Sequence, residues 1–134
     1  MRPEHGLFLG SHPVHLQAGG RITLPREWRE ELAGGPLRLL RAFNRPCLLI
    51  MPAASLSDHD AEAARGLGLR VHTSAIDARG RVRLPADLIQ AAGLKTRLTA
   101  IGVLTGMEIW DPEAFAGYNS SRHGGREIAA KIGF

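Results

Sequence analysis

The chain has 134 residues, 44% of them apolar, with 17 Lys and Arg against 13 Asp and Glu, a formal charge of +4 and a single cysteine. This length fits one domain with enough apolar material for a core. No apolar run approaches the roughly twenty residues of a membrane span, and Met1-Arg2-Pro3-Glu4-His5 lacks a signal peptide's apolar core. Cys47 alone excludes an internal disulfide framework and a cysteine-rich zinc knuckle, so a reducing cytoplasm is the expected setting.

From the N-terminus, Val14-His15-Leu16 alternates apolar and polar, Gln17-Ala18-Gly19-Gly20 interrupts, and Arg21-Ile22-Thr23-Leu24 alternates again. This predicts strand, turn, strand, with Ile22 and Leu24 on one face and Arg21 and Thr23 on the other. Pro25 suits the first turn of a short helix over Arg26 to Leu32, with Trp28 and Leu32 on its buried side. A second strand pair is expected over Leu37 to Phe43 and Cys47 to Met51, turning at Asn44-Arg45-Pro46 and stopped by Pro52. Ala53 to Leu69 reads as a short connecting helix or an ordered linker, with Asp58 to Arg65 its best helical stretch.

The plan then repeats. Gly80-Arg81-Val82-Arg83-Leu84-Pro85 echoes Gly20-Arg21-Ile22-Thr23-Leu24-Pro25 sixty positions on, without a gap. A second helix carries Asp87 in its first turn and Leu88 and Ala92 on one face, with Gly93 as its terminating glycine. Strands over Leu98 to Val103 and Met107 to Trp110 follow, and Pro112 stops the last. Glu113 to Ala116 is expected to form a helical turn, Asn119 to Gly125 a flexible spacer, and the last nine residues a fraying helix or a disordered end.

Two units of about sixty residues are too few for a solenoid, and each is near the size at which an isolated domain buries too little surface. Each half is therefore expected to supply part of the other's core. The divisions are 5–53 for the first repeat, 54–70 for the linker, 71–116 for the second repeat and 117–134 for the tail.

Catalytic machinery is not apparent. None of the six histidines pairs with a second ligand at helix spacing, and His12 and His72, at matching positions, read as structural. No nucleophile elbow or phosphate loop occurs, and Cys47 among Leu48, Leu49 and Ile50 reads as a buried, inert thiol. No catalytic or metal site, cofactor or small-molecule substrate is expected. From Arg65 to Arg83 there are five arginines against one acid, Asp77. Two cationic hairpins with glycine tips at a fixed separation suit a regular polyanion such as duplex DNA. The competing interpretation is a solvated basic face, or arginines that pair with acids on neighbouring chains.

Phe8-Leu9-Gly10, Gly20-Arg21, Leu24-Pro25, Trp28-Arg29 and Cys47-Leu48-Leu49 resemble the first half of the MraZ family, transcription regulators of the bacterial division and cell-wall gene cluster. Asp77-Ala78-Arg79-Gly80-Arg81, Leu84-Pro85, Ala92-Gly93-Leu94 and Glu108-Ile109-Trp110-Asp111 resemble the second. The resemblance implies a mainly β fold with short helices: tandem swapped-hairpin AbrB-type units forming an intrachain pseudodimeric β-barrel. It also implies a ring-like homo-oligomer in the cytoplasm, nucleoid-associated, that represses transcription by binding repeated promoter elements in double-stranded DNA through Asp-x-Lys-Gly-Arg turns. Carried over, Gly20, Asp77 and Gly80 shape the turns, and Arg21, Arg79 and Arg81 contact DNA. Arg83 joins them because it shares Arg81's strand face. The first turn departs from the pattern, with Gln17 where the family has aspartate and Gly19 where it has lysine. The alternative function is an oligomeric, non-enzymatic interaction module of the same fold with weakened or lost DNA binding, its tail from Arg122 to Phe134 docking a partner.

Overall fold

The computed structural model describes residues 8, 10–32 and 35–121. The expected tail from Arg122 to Phe134 lies outside them. The first half supplies β1 (Ser11–Gln17), β2 (Arg21–Thr23), α1 (Arg26–Leu32), β3 (Leu37–Arg41) and β4 (Leu48–Pro52). A 3-10 turn and helix α2 (Asp58–Gly66) follow. The second half repeats the order with β5 (His72–Ser74), β6 (Arg81–Arg83), α3 (Ala86–Ala91), β7 (Arg97–Gly102) and β8 (Met107–Trp110). Helix α4 (Pro112–Ser121) ends the described chain.

The eight strands of the described residues form one sheet in the order β5-β3-β4-β8-β7-β1-β2-β6. β1 pairs with β7 and β3 with β5, so each half's first strand is received by the other half's third. Where the halves meet at β2 and β6, Ile22 lies opposite Val82, its own counterpart sixty residues away. A pseudo-twofold axis therefore passes between these two side chains. The hairpins follow the symmetry, since Leu37 pairs with Pro52 and, sixty residues on in both strands, Arg97 would face Pro112 in the ladder that pairs Thr99 with Trp110. β5 does not, because His12 faces Ala100 but His72 faces Leu39, one position off the matching Leu40. The sheet's end strands β5 and β6 are joined by the 75–80 turn, where Asp77 N–H donates to the Arg81 carbonyl at 2.9 Å.

The interleaving follows from what the strands bury. Ile22, Leu39, Leu48 and Ile50 of the first half and Val82, Ala100, Met107 and Ile109 of the second are all 0% exposed and share one cluster with Trp28, Leu84 and Leu98. Burying such side chains contributes roughly 1.5 to 3 kcal/mol each relative to exposure, which neither half gains alone. A second, smaller cluster gathers Ala42, Cys47 and Trp110 on the sheet's other face, under Phe115 and Tyr118 of α4.

α1 spans the expected Arg26 to Leu32 and the connecting segment takes the helical of its two expected forms, while the place of the prolines and the length of α4 differ from expectation. α1 and α3 begin one residue after Pro25 and Pro85, leaving each proline just outside its helix. The connecting segment is a helix, its Ser57 hydroxyl accepting from the Asp60 N–H at 3.1 Å. α4 runs through Ser121, including Asn119 to Ser121, which the sequence assigned to a flexible spacer. Packing explains the difference: the Phe115 and Tyr118 rings lie 5.3 and 5.0 Å from Trp110, centroid to centroid, and hold a helix that its Gly117 and Asn119 would not favour.

Candidate nucleic-acid interface

β2 and β6 form a two-stranded antiparallel ribbon whose alternation divides its side chains cleanly. Ile22 and Val82 face the core, leaving Arg21, Thr23, Arg81 and Arg83 on the outer face, where Arg21 sits opposite Arg83 and Thr23 opposite Arg81. Like charges facing each other across a ladder are unfavourable, so this pairing spends stability on a cationic surface. Arg83 and Arg79 are exposed, and Arg21 and Arg81 half-buried.

The two glycine turns stand back to back. Gly20 and Gly80 adopt φ of +79° and +78°, a region that glycine enters without steric cost. Each carbonyl accepts from the other half: Leu84 N–H donates to Gly20 at 2.7 Å, and Leu24 N–H to Gly80 at 3.0 Å. These reciprocal bonds are why the turns hold a fixed separation.

Around those glycines the turns differ. In the second, one Asp77 carboxylate oxygen accepts the backbone N–H groups of Arg79 at 2.9 Å and Arg81 at 2.8 Å, and the other accepts Arg81 Nε at 2.9 Å. The Arg81 N–H, aided by its side chain and the Arg79 N–H, holds the Asp77 carboxyl below the usual carboxylate range. Arg81 is thus held through Nε, and its two terminal amino groups have no partner among the described residues. In the first turn the Gln17 amide donates to the Thr23 hydroxyl at 2.7 Å. Gly19 there takes φ of +84°, a conformation Arg79 does not share, so a basic side chain at 19 would be strained in this backbone.

A residue that the sequence did not assign to the site lies against the second turn. Arg29 of α1 donates from Nε to the Leu24 carbonyl at 2.9 Å, and a Cβ placed on Gly80 would come within 2.5 Å of that same Nε. Fifty-one positions separate Arg29 from Gly80, and only the swapped strands join them. Its pseudo-symmetric counterpart is Ile89, whose Cδ1 would lie 3.6 Å from a Cβ on Gly20.

Two histidines and the buried Glu108 have structural partners. His12 stacks edge-on against Trp28 at 4.9 Å, and His72 bonds the Asp87 carboxylate at 3.0 Å. Burial, abetted by Glu108, pushes the Cys47 thiol up to about 12. Glu108, only 8% exposed, accepts from Arg45 Nε and Nη2 at 2.9 and 2.6 Å and from Trp110 Nε1 at 2.8 Å. Among the described residues no helix is long and apolar enough to cross a membrane.

The model of one family, described as "MraZ protein, putative antitoxin-like", matches residues 70–129. Transcriptional regulator MraZ of Rhodococcus jostii (strain RHA1) is 36% identical over 123 residues, covering 84% of this chain and 86% of that protein. The protein of the same name from Thermobifida fusca (strain YX) is 34% identical over 129 residues, covering 87% and 89%, and that from Cutibacterium acnes (strain DSM 16379 / KPA171202) 30% over 129 residues. With the glycine-arginine turn present twice and relatives matched along most of their length, this chain belongs to the MraZ family.

Proposed function

We propose that this protein is a sequence-specific DNA-binding transcriptional regulator, a repressor that binds repeated promoter elements of the division and cell-wall type as a ring-like homo-oligomer. The observation that carries the proposal is the outer face of the β2–β6 ribbon, with Arg21, Arg81 and Arg83 projecting on one side and Arg79 at the adjoining turn. A two-stranded ribbon fits the major groove, and guanidinium forks engage guanine edges or phosphates with paired hydrogen bonds. The relatives' shared name, transcriptional regulator, points the same way. Asp77 adds preorganisation: with Nε engaged, Arg81 presents its terminal amino groups at little further entropic cost.

A gel shift against the DNA immediately upstream of the protein's own gene tests this. The wild type retards that fragment over a scrambled one, and the Arg79→Ala/Arg81→Ala double variant loses the preference. Equal retardation of both fragments by the wild type removes sequence specificity, and no retardation removes the function. The interaction-module alternative draws on the first turn, where Arg21 is the only charged side chain between Gln17 and Thr23. It gains only in the second outcome.

A further inference from the structure

Among the basic side chains of the ribbon, its turns and helices α1 and α3, four have no basic counterpart across the pseudo-twofold; Arg83, whose counterpart is Thr23, faces Arg21 at the first turn's end, and the other three fall at the second turn's end. Arg79 corresponds to Gly19, Arg29 to Ile89 and Arg26 to Ala86. Arg79 belongs to the second turn and Arg29 covers its Gly80. Arg29 and Arg26 also line a shallow open cleft with His12 and Thr23, and Thr23 is the cross-strand neighbour of Arg81. Glu27 is the one acid on the cleft's rim among the described residues. A cationic surface therefore runs from Arg79 and Arg81 past Thr23 to α1, and it crosses from one half of the chain to the other.

We propose that Arg29 is a phosphate-binding residue of the DNA interface, given by the first half's helix to the second half's turn, so that the protein's grip on duplex DNA is heavier at that end. This rests on the DNA-binding function proposed above. Nε is fixed to the Leu24 carbonyl at 2.9 Å, so the guanidinium is held in place. Its terminal amino groups have no partner among the described residues and can offer two parallel N–H bonds to phosphate oxygens. Contact with a base edge is disfavoured because Arg29 stands on a helix beside the ribbon and not on its outer face. At the other end, Ile89 offers an aliphatic side chain in the same place, and Arg21 and Arg83 have no helix-borne arginine beside them among the described residues.

The test uses the full chain and a fluorescein-labelled duplex of its own upstream DNA, beside a scrambled duplex, with affinities measured from about 50 to about 200 mM KCl. Each phosphate contact contributes about 0.9 to the slope of log affinity against log salt. Arg29→Ala is expected to flatten that slope by about 0.9 on both duplexes, so that its deficit shrinks roughly threefold across this salt range. Arg29→Lys, which keeps the charge, is expected to retain the wild-type slope. Unchanged slope and affinity in Arg29→Ala overturn the assignment. So does weakened binding at an unchanged slope in both variants, which marks Arg29 as a support for Gly80 alone. If circular dichroism shows Arg29→Ala to be unfolded, Arg29→Gln decides by the same criterion. A wild type with no salt-dependent affinity for either duplex defeats the DNA-binding function itself, whereas a wild type that binds normally beside an unchanged variant defeats only the role of Arg29.

Discussion

Asp77 decides more about the candidate interface than any of its arginines, because three hydrogen bonds from two residues end on its two oxygens. Asp77→Asn keeps the shape but gives up a charged acceptor and the ion pair with Arg81. It is expected to weaken duplex binding about three- to tenfold while leaving the fold intact, measured by anisotropy beside a melting curve. Acid titration provides a second check. Hydrogen bonds hold the carboxyls of Asp77 and Asp87 below their unfolded values, the latter chiefly through His72. Their stabilisation is complete above the unfolded carboxylate pKa of about 3.9 and fades as pH falls through the lower folded values. Urea midpoints should therefore drop below about pH 4, and less steeply in Asp77→Asn. The glycines carry a local signature, because a turn that needs positive φ favours glycine, whereas a bracing role for Asp77 came only through the family resemblance. The place of Arg29 at the site was not legible, since its partner lies in the other half and no periodicity records a contact across a swap.

Among the elements, β8 departs furthest from a simple alternating strand. Met107 and Ile109 enter the main core while Glu108 and Trp110 face the second cluster, so all four residues are buried. Strict alternation marks a strand with one wet face, and here α4 and Arg45 cover the face that would have been wet. The same covering extends α4 beyond its expected end, because a ring contact across the sheet lies outside the reach of local propensity. Glu108→Ala leaves Arg45 and the Trp110 N–H without their acceptor and is expected to cost about 2 kcal/mol in urea unfolding, with the Trp110 fluorescence shifted. The neighbouring Cys47 thiol, pushed up to about 12 by burial, should resist iodoacetamide at pH 8 until denaturant is added. Modification of the native protein at the unfolded rate would contradict its place in this cluster.

For the whole molecule, interleaved pairing means that neither half owns a complete sheet. β3 is held by β4 of its own half and β5 of the other, and β7 by β8 and β1. Unfolding should be one transition. Trp28 reports from the first half and Trp110 from the second, so the single-tryptophan variants Trp28→Phe and Trp110→Phe should each show coincident fluorescence and circular dichroism curves in urea. Separate transitions for the two probes would mean that the halves fold independently. The duplication itself was plain from the ungapped echo of Gly20 to Pro25 in Gly80 to Pro85. Its inequality was only partly so: Gln17 and Gly19 announced a weaker first turn, whereas the left-handed backbone behind Gly19 and the Arg29/Ile89 contrast needed coordinates.

In the proposed complex, duplex DNA lies along the outer face of the β2–β6 ribbon. Hydrogen exchange followed by mass spectrometry, with and without the upstream duplex, tests it most directly. Peptides spanning 19–24 and 77–84 should gain protection while those from β4, β8 and α4 are unchanged. Protection confined to the Trp110 and α4 face, with the glycine-arginine turns exchanging as in the free protein, would contradict it.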